Sequence, residues 1–99
     1  MSTEAEIIAW AALVEQKIKA HYVKIPHANP SISVQWGRRY ARIVDKVWGG
    51  ASAYCFVEIA TGDCYKASSW KAPAKHVRGN ISDTTLSFCT PYGLVHLRG

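Results

Sequence analysis

Apolar residues recur at helical spacing at the start of the chain. Ile7, Ala11, Val14, Ile18, Tyr22 and Ile25 fall three or four positions apart and make one stripe. Ahead of it, Thr3-Glu4-Ala5-Glu6 has the form of a capping box, in which the Thr3 hydroxyl accepts the Glu6 amide and Glu6 reaches back. The pattern predicts a helix from about Thr3 to Lys24. It ends before Pro26, because the residue preceding a proline avoids the helical region. Ile8, Trp10, Ala12 and Leu13 carry the apolar surface beyond one face. A helix that wide needs two partners, so it is expected to pack on its own sheet and on a second subunit.

After His27-Ala-Asn-Pro30, a turn or short linker, the period shortens. Within Ile32 to Trp48, a strand places Tyr40, Arg42 and Val44 on one side and Arg39, Ala41 and Ile43 on the other. Gly49-Gly50 breaks it. Ala53–Ile59 and Cys64–Ser68 flank Ala60-Thr-Gly-Asp63, a hairpin signal. In that register Cys55, Val57 and Ile59 share a face with Cys64, while Tyr54 and Phe56 take the other. Thr84–Thr90 and Leu94–Arg98 suggest a second hairpin around Pro91-Tyr-Gly93. The expected architecture is α+β: a single domain, 1–99, with an amphipathic N-terminal helix (about 3–24) on a small antiparallel sheet or sandwich (about 32–98).

Composition narrows the class. Ninety-nine residues, 48% of them hydrophobic and 19% charged, make one small globular domain, not a disordered chain. A formal charge of +5 favours anionic partners. Cys55, Cys64 and Cys89 are odd in number, lack a C-x-x-C spacing and lie in apolar runs, where free cysteine behaves as a small buried hydrophobe. The four histidines are scattered, so neither a metal nor another cofactor is expected. Ile7–Val14 is too short for a membrane span and follows Glu4 and Glu6, unlike a signal peptide. The expectation is a protein of a reduced cytoplasm with no membrane partner.

The chemistry concentrates between Asp63 and Asp83, a stretch without a carboxylate. Trp70 lies there among Lys66, Lys71, Lys75, His76 and Arg78, and Gly79-Asn80 closes the run. Cations meet phosphate, an indole offers a face to a planar ring, and Asn both donates and accepts. Those are the parts of a nucleotide site. The plainer alternative is a solvated basic loop in which Trp70 only caps the core. Arg38, Arg39 and Arg42 form a second cluster, and Arg98 follows an apolar run at the C-terminus; guanidinium forks suit a diphosphate. No nucleophile with its base, carboxylate pair or phosphate-binding glycine motif is evident, so catalysis is not expected.

Several segments taken in order resemble a known family. They are the N-terminal helix, Trp36-Gly-Arg-Arg-Tyr-Ala-Arg-Ile43, Tyr54-Cys-Phe-Val-Glu58, Gly62-Asp-Cys-Tyr-Lys-Ala-Ser-Ser-Trp70, Lys71-Ala-Pro-Ala-Lys-His-Val-Arg-Gly-Asn80 and Leu97-Arg98. The order is similar to the phage anti-Thoeris sponge family, Thoeris anti-defence protein one. The resemblance implies a helix anchoring a β core and assembly into dimers or hexamers. It also implies sequestration of cyclic ADP-ribose isomers without cleavage, and of cyclic oligonucleotides in some members, in the host-cell cytoplasm. The family's pocket places an aromatic ring under adenine, an Asn about ten residues later, and arginines that include one near the C-terminus. Those roles would fall on Trp70, Asn80 and Arg98, with Arg42 as the further arginine and Arg78, Lys71 and Lys75 beside them. The alternative is a single-stranded nucleic-acid binder in which the same Trp and cations track a backbone, with Tyr40, Tyr54, Phe56 and Tyr65 as further rings. A third is a structural or host-interaction protein resting on the wide apolar helix.

Overall fold

The structure, a computed structural model, describes residues 4–25, 28–47, 50–90 and 93–94. Thr3 of the capping box, Pro26 and His27, Trp48 and Gly49, Pro91 and Tyr92, and Arg98 with its neighbours lie outside the described residues.

Among the described residues one helix, α1 (Glu4–His21), precedes seven strands: β1 (Ser31–Trp36), β2 (Tyr40–Lys46), β3 (Ala51–Glu58), β4 (Asp63–Ala67), β5 (Pro73–Asn80), β6 (Cys89–Thr90) and β7 (Gly93–Leu94). Glu4 and Glu6 in the first turn and Lys19 and His21 in the last complement the helix dipole. The helix stops at His21, and Tyr22–Lys24 forms a turn in which the Ile25 amide donates to the Tyr22 carbonyl at 3.0 Å. β1 to β5 run antiparallel in sequence order, a five-stranded meander, and β6 pairs with β7 in a separate small sheet. The chain is therefore α+β, a helix on an antiparallel sheet.

Three regions depart from the sequence expectation. The single strand expected within 32–48 is two, β1 and β2, joined by a tight turn in which the Gly37 amide donates to the Tyr40 carbonyl at 3.0 Å. The acid-free stretch is a hairpin instead of a loop: β4, a turn over 68–72, and β5. The alternation of β5 is weak because its pairing with β4 slips twice, and the slips hide the period-two signal. Between Thr84 and Cys89 the chain forms turns. The Asp83 carboxylate organises them by accepting from the Thr85 amide at 3.0 Å and the Ser87 hydroxyl at 2.6 Å.

Ile7, Trp10, Val14 and Ile18 of α1 bury against Ala41, Ile43, Cys55, Val57 and Cys64 of the sheet. Each large apolar side chain so buried contributes roughly 1.5–3 kcal/mol. The segment after β5 closes the remaining side with Ile81, Leu86 and Phe88. The Phe88 ring stacks on Trp10, with centroids 6.1 Å apart and planes 9° from parallel. Lys17 ties helix to segment, its ammonium donating to the Leu86 and Cys89 carbonyls at 3.0 and 2.9 Å. Trp10 and Leu13 thus serve the core, whereas Ile8 and Ala12 remain exposed.

Ala41, Val57 and Cys64 lie in register on the helix side, as the hairpin pattern requires. Gly62, at φ 79°, makes the β3–β4 turn in a conformation that favours glycine. Tyr54 was expected beside Phe56. The register slip between Ile43 and Val44 turns it inward instead, where it is 3% exposed and donates to the Thr90 carbonyl at 2.6 Å. The three cysteines are free and buried. Burial raises the thiols of Cys55 and Cys64 well above the ordinary range, and that of Cys89 to about 11.

Candidate functional site

The sheet face turned away from α1 carries one row across all five strands. Gln35 pairs with Arg42, Arg42 with Phe56, Phe56 with Tyr65 and Tyr65 with Val77. Tyr40 lies one step along the same face of β2 as Arg42 and meets Phe56 and Tyr65 edge-on, at centroid distances of 6.4 and 5.7 Å. An aromatic and cationic surface is therefore built from alternate residues of strands whose other face is the core.

Above this row, the β4–β5 turn folds back over the sheet. The Ser68 amide and hydroxyl both donate to the Ala72 carbonyl at 3.0 Å, and the Ser69 hydroxyl accepts from the Lys71 amide at 3.2 Å. The two serines thereby fix the turn that presents Trp70. The indole, 40% exposed, lies against the Arg42 guanidinium, whose carbon is 4.5 Å from the ring centroid. Arg42 Nε donates to the Trp70 carbonyl at 2.8 Å, and Nη1 donates to Gln35 Oε1 at 2.5 Å. The guanidinium carbon is also 5.9 Å from the Phe56 ring centroid. The cation is thus near two rings and tethered at two nitrogens.

Beside it lies an open hollow of about 350 Å³, lined by Trp36, Gly37, Arg38, Arg39, Tyr40, Lys71 and Pro73 as well as the Gln35–Arg42–Phe56 row. The cations are not equivalent. Arg39 Nε is 2.8 Å from Glu58 Oε2, and this hydrogen bond, with the charges of Tyr40 and Glu58, raises the Arg39 pKa further. Glu58 thus offsets Arg39. Arg38 and Lys71 are exposed and make no ion pair among the described residues.

The remaining sequence candidates are dispersed. Asn80 ends β5, the length of that strand away from the Trp70 turn, roughly 25 Å at 3.3 Å per residue. Its side chain donates to the Thr61 carbonyl at 3.0 Å and Asp63 Oδ1 at 2.9 Å, and accepts from the Ser82 amide at 3.0 Å. It pins the two turns at that end of the sheet and does not join Trp70. Arg78 occupies the register slip between the Cys64–Gly79 and Tyr65–Val77 pairs, with Nε and Nη1 buried and without a hydrogen-bond partner among the described residues. Lys75 and His76 are exposed on β5. Lys66 donates to the Leu94 carbonyl at 3.4 Å, which makes it a structural contact. The structure brings Trp70, Arg42 and Lys71 together and leaves Asn80, Arg78 and Lys75 apart; Arg98 lies outside the described residues.

Gln35 borders the hollow and is passed over by motif reading, while Tyr40 and Phe56 enter the sequence reading only as further rings for a nucleic-acid strand. Alternation puts Tyr40 with Arg42, but only the strand register brings Gln35 and Phe56 to either side of them. Among the described residues no three His, Cys, Asp or Glu side chains group as metal ligands, and no helix is long and apolar enough to cross a membrane.

Residues 2–89 match a family model described as "Family of unknown function (DUF7717)", and the chain belongs to that family. No curated protein and no solved structure matches it.

Proposed function

We propose that this member of a family of unknown function is a binding protein that captures cyclic nucleotides on the open face of its sheet without cleaving them. Cyclic ADP-ribose isomers, the class implied by the sequence resemblance, are the first ligands to examine, followed by cyclic oligonucleotides. In a phage setting such capture would starve a host defence effector of its signal. The observation that carries the reading is Arg42, tethered at 2.8 and 2.5 Å and set against the Trp70 ring, with Phe56 nearby. A guanidinium oriented in advance loses less conformational freedom when a phosphate arrives. Arg38 and Lys71 flank it as exposed cations, and the outer face of Trp70 is open to a base, a stack worth about 1–3 kcal/mol. A hollow of about 350 Å³ is at the small end of ligand clefts, which run from roughly 300 to 1,000 Å³. It suits one compact nucleotide better than an extended strand.

The second reading, a single-stranded nucleic-acid binder, draws on Tyr40, Phe56 and Tyr65 sharing that face, since sheet platforms stack bases on such rings. Two features weigh against it. Tyr40 meets Phe56 and Tyr65 edge-on, and Phe56 is 4% exposed, so these rings offer a base less free surface than Trp70, which is 40% exposed.

Thermal shift with cyclic ADP-ribose isomers, cyclic di- and trinucleotides and oligo-dT separates the readings. A ligand at a hundred times its Kd adds about 2.7 kcal/mol, and a domain of this size shifts by roughly 4–8 °C per kcal/mol. Trp70→Ala is expected to weaken capture by about 5- to 150-fold, the equivalent of one lost stack, without changing the oligomeric state. A melting point that responds only to oligo-dT, and only at low salt, would establish strand binding and sink nucleotide capture.

A further inference from the structure

The two edges of the five-stranded sheet are built differently. β5 carries several devices that block further pairing: Pro73, the exposed Lys75 and His76, and two register slips. β1, Ser-Ile-Ser-Val-Gln-Trp, carries none of them, having no charge, no proline and continuous register with β2 from Ser31 to Trp36.

Its outward groups can be assigned. The Asn29 amide donates inward to the Val47 carbonyl at 3.0 Å, and the Ile32 amide donates outward to Glu15 Oε2 at 2.7 Å. By the alternation of a strand, Ile32, Val34 and Trp36 direct their amides and carbonyls away from β2. No described strand pairs with them. Beside this edge, between β1 and α1, runs an apolar groove of about 320 Å³ lined by Ile8, Ala12, Ile32, Val34 and Trp36, with Glu15 among them. Ile8 is 53% exposed and Trp36 41%.

We propose that β1 pairs antiparallel with β1 of a second copy, joining two sheets into one and closing the two grooves over each other. The chemistry selects this occupant. The edge is uncharged in a chain of net charge +5, so an acidic partner would find no cation on the strand, whereas self-pairing sets no like charges opposite each other. A two-fold axis at Val34 is the register that fits. It opposes Val34 to its counterpart and Ile32 to the partner's Trp36, so the Val34 and Trp36 amides meet the partner's Val34 and Ile32 carbonyls, while the Ile32 amide keeps Glu15. A shift in either direction brings up Pro30, which has no amide hydrogen, or runs the strand into the Gly37–Arg39 turn. In the Val34 register the partner's Arg38 comes two positions beyond Ile32, where the Glu15 carboxylate already sits at the edge. Arg38 makes no ion pair among the described residues, and there it would join Lys19, which already meets Glu15 at 3.3 Å. The pairing is isologous and stops at a dimer.

Dimerisation through β1 can be tested apart from nucleotide capture at Val34, which lines the groove beside α1 and not the hollow that Trp36 and Arg38 border; either can fail alone. Sedimentation equilibrium over the micromolar range tests it, with Val34→Pro and Trp36→Glu. Proline at 34 deletes an amide that makes no bond to β2, so the sheet keeps its own ladder. The wild-type chain is expected to be a dimer in which the Val34 amide becomes protected from hydrogen exchange as concentration rises. Each variant is expected to weaken the dimer by about 30-fold or more, the scale of an interface hot spot. Should Val34→Pro fail to fold, Trp36→Glu decides, since that position is already 41% exposed. A monomeric wild-type chain, or assembly that survives either substitution in a folded variant, overturns the proposal.

Discussion

Gly79→Ala is a sharp test of how the β4–β5 hairpin is seated. Gly79 pairs with Cys64 on the helix side of the sheet, and a Cβ built there would come within 2.4, 2.5 and 2.5 Å of three Phe88 ring carbons. Phe88 cannot swing aside freely, because it is 6% exposed and stacked on Trp10. Overpacking of this kind typically costs about 1–3 kcal/mol. Replacing glycine in a strand returns roughly 0.5–1 kcal/mol of chain entropy. The steric term wins, leaving a net loss of about 1–2 kcal/mol, a melting point lower by roughly 4–16 °C. A double-mutant cycle with Phe88→Leu isolates the cause. Leucine alone destabilises by opening space beside Trp10, but the alanine methyl then has room, so the double variant should recover about 1 kcal/mol relative to additivity. Thermal melts by circular dichroism on the four proteins suffice. A Gly79→Ala melting point equal to wild type, or strictly additive effects, would refute the packing of Phe88 on Gly79.

Two further substitutions probe contacts away from the ligand. Lys17→Met removes both bonds from the helix to the Leu86 and Cys89 carbonyls and should lower stability by about 1–3 kcal/mol, read as a shifted denaturation midpoint. A midpoint that does not move would mean that solvent replaces both bonds at no loss. Asp45→Asn should raise the melting point at neutral pH, because burial raises the Asp45 pKa and so penalises the charged form in the folded state. That penalty is fully present above the raised folded value and disappears below about 3.9, where both states hold the proton, so the gain from asparagine should fade as acid is added. A difference independent of pH would assign the effect to something other than charge.

The helix was legible in the sequence because its signal is local. Ile7, Val14 and Ile18 at three- and four-residue spacing suffice for one buried stripe, and all three are at most 1% exposed. The β3–β4 hairpin was legible for the same reason, with Gly62 marking the turn and Val57 meeting Cys64. Elsewhere the outcome depended on slips in register, which no periodicity announces. One slip turns Tyr54 inward beside Phe56; two others make the Lys- and Pro-containing run from 73 to 80 a strand whose pattern resembles a loop. The candidate site was half legible for a related reason. Arg42 and Trp70 stand out by residue type, yet 28 positions separate them, and only the fold-back of the β4–β5 turn joins them. Asn80, ten positions from Trp70, is near in sequence and far in space because a whole strand lies between.

The contact between Arg42 and Trp70 also constrains what a ligand can do. The indole offers two faces, and the guanidinium lies over one of them at 4.5 Å. An incoming base therefore has the outer face alone, unless Arg42 gives up both the Trp70 carbonyl and Gln35 to make way. Surrendering two charge-assisted bonds in exchange for one stack is unfavourable. The arrangement that loses least keeps the guanidinium in place, sets the base outside Trp70, and turns the phosphates toward Arg42 and the exposed Arg38 and Lys71 beside it, instead of toward Arg39, which Glu58 already offsets. A ligand held this way is compact, with ring and phosphates close together, because Trp70 touches Arg42 and Arg42 borders the hollow of about 350 Å³ that holds the other cations. A cyclic nucleotide meets that condition by its covalent structure, while a linear strand would have to bend to do so and lose the entropy of bending.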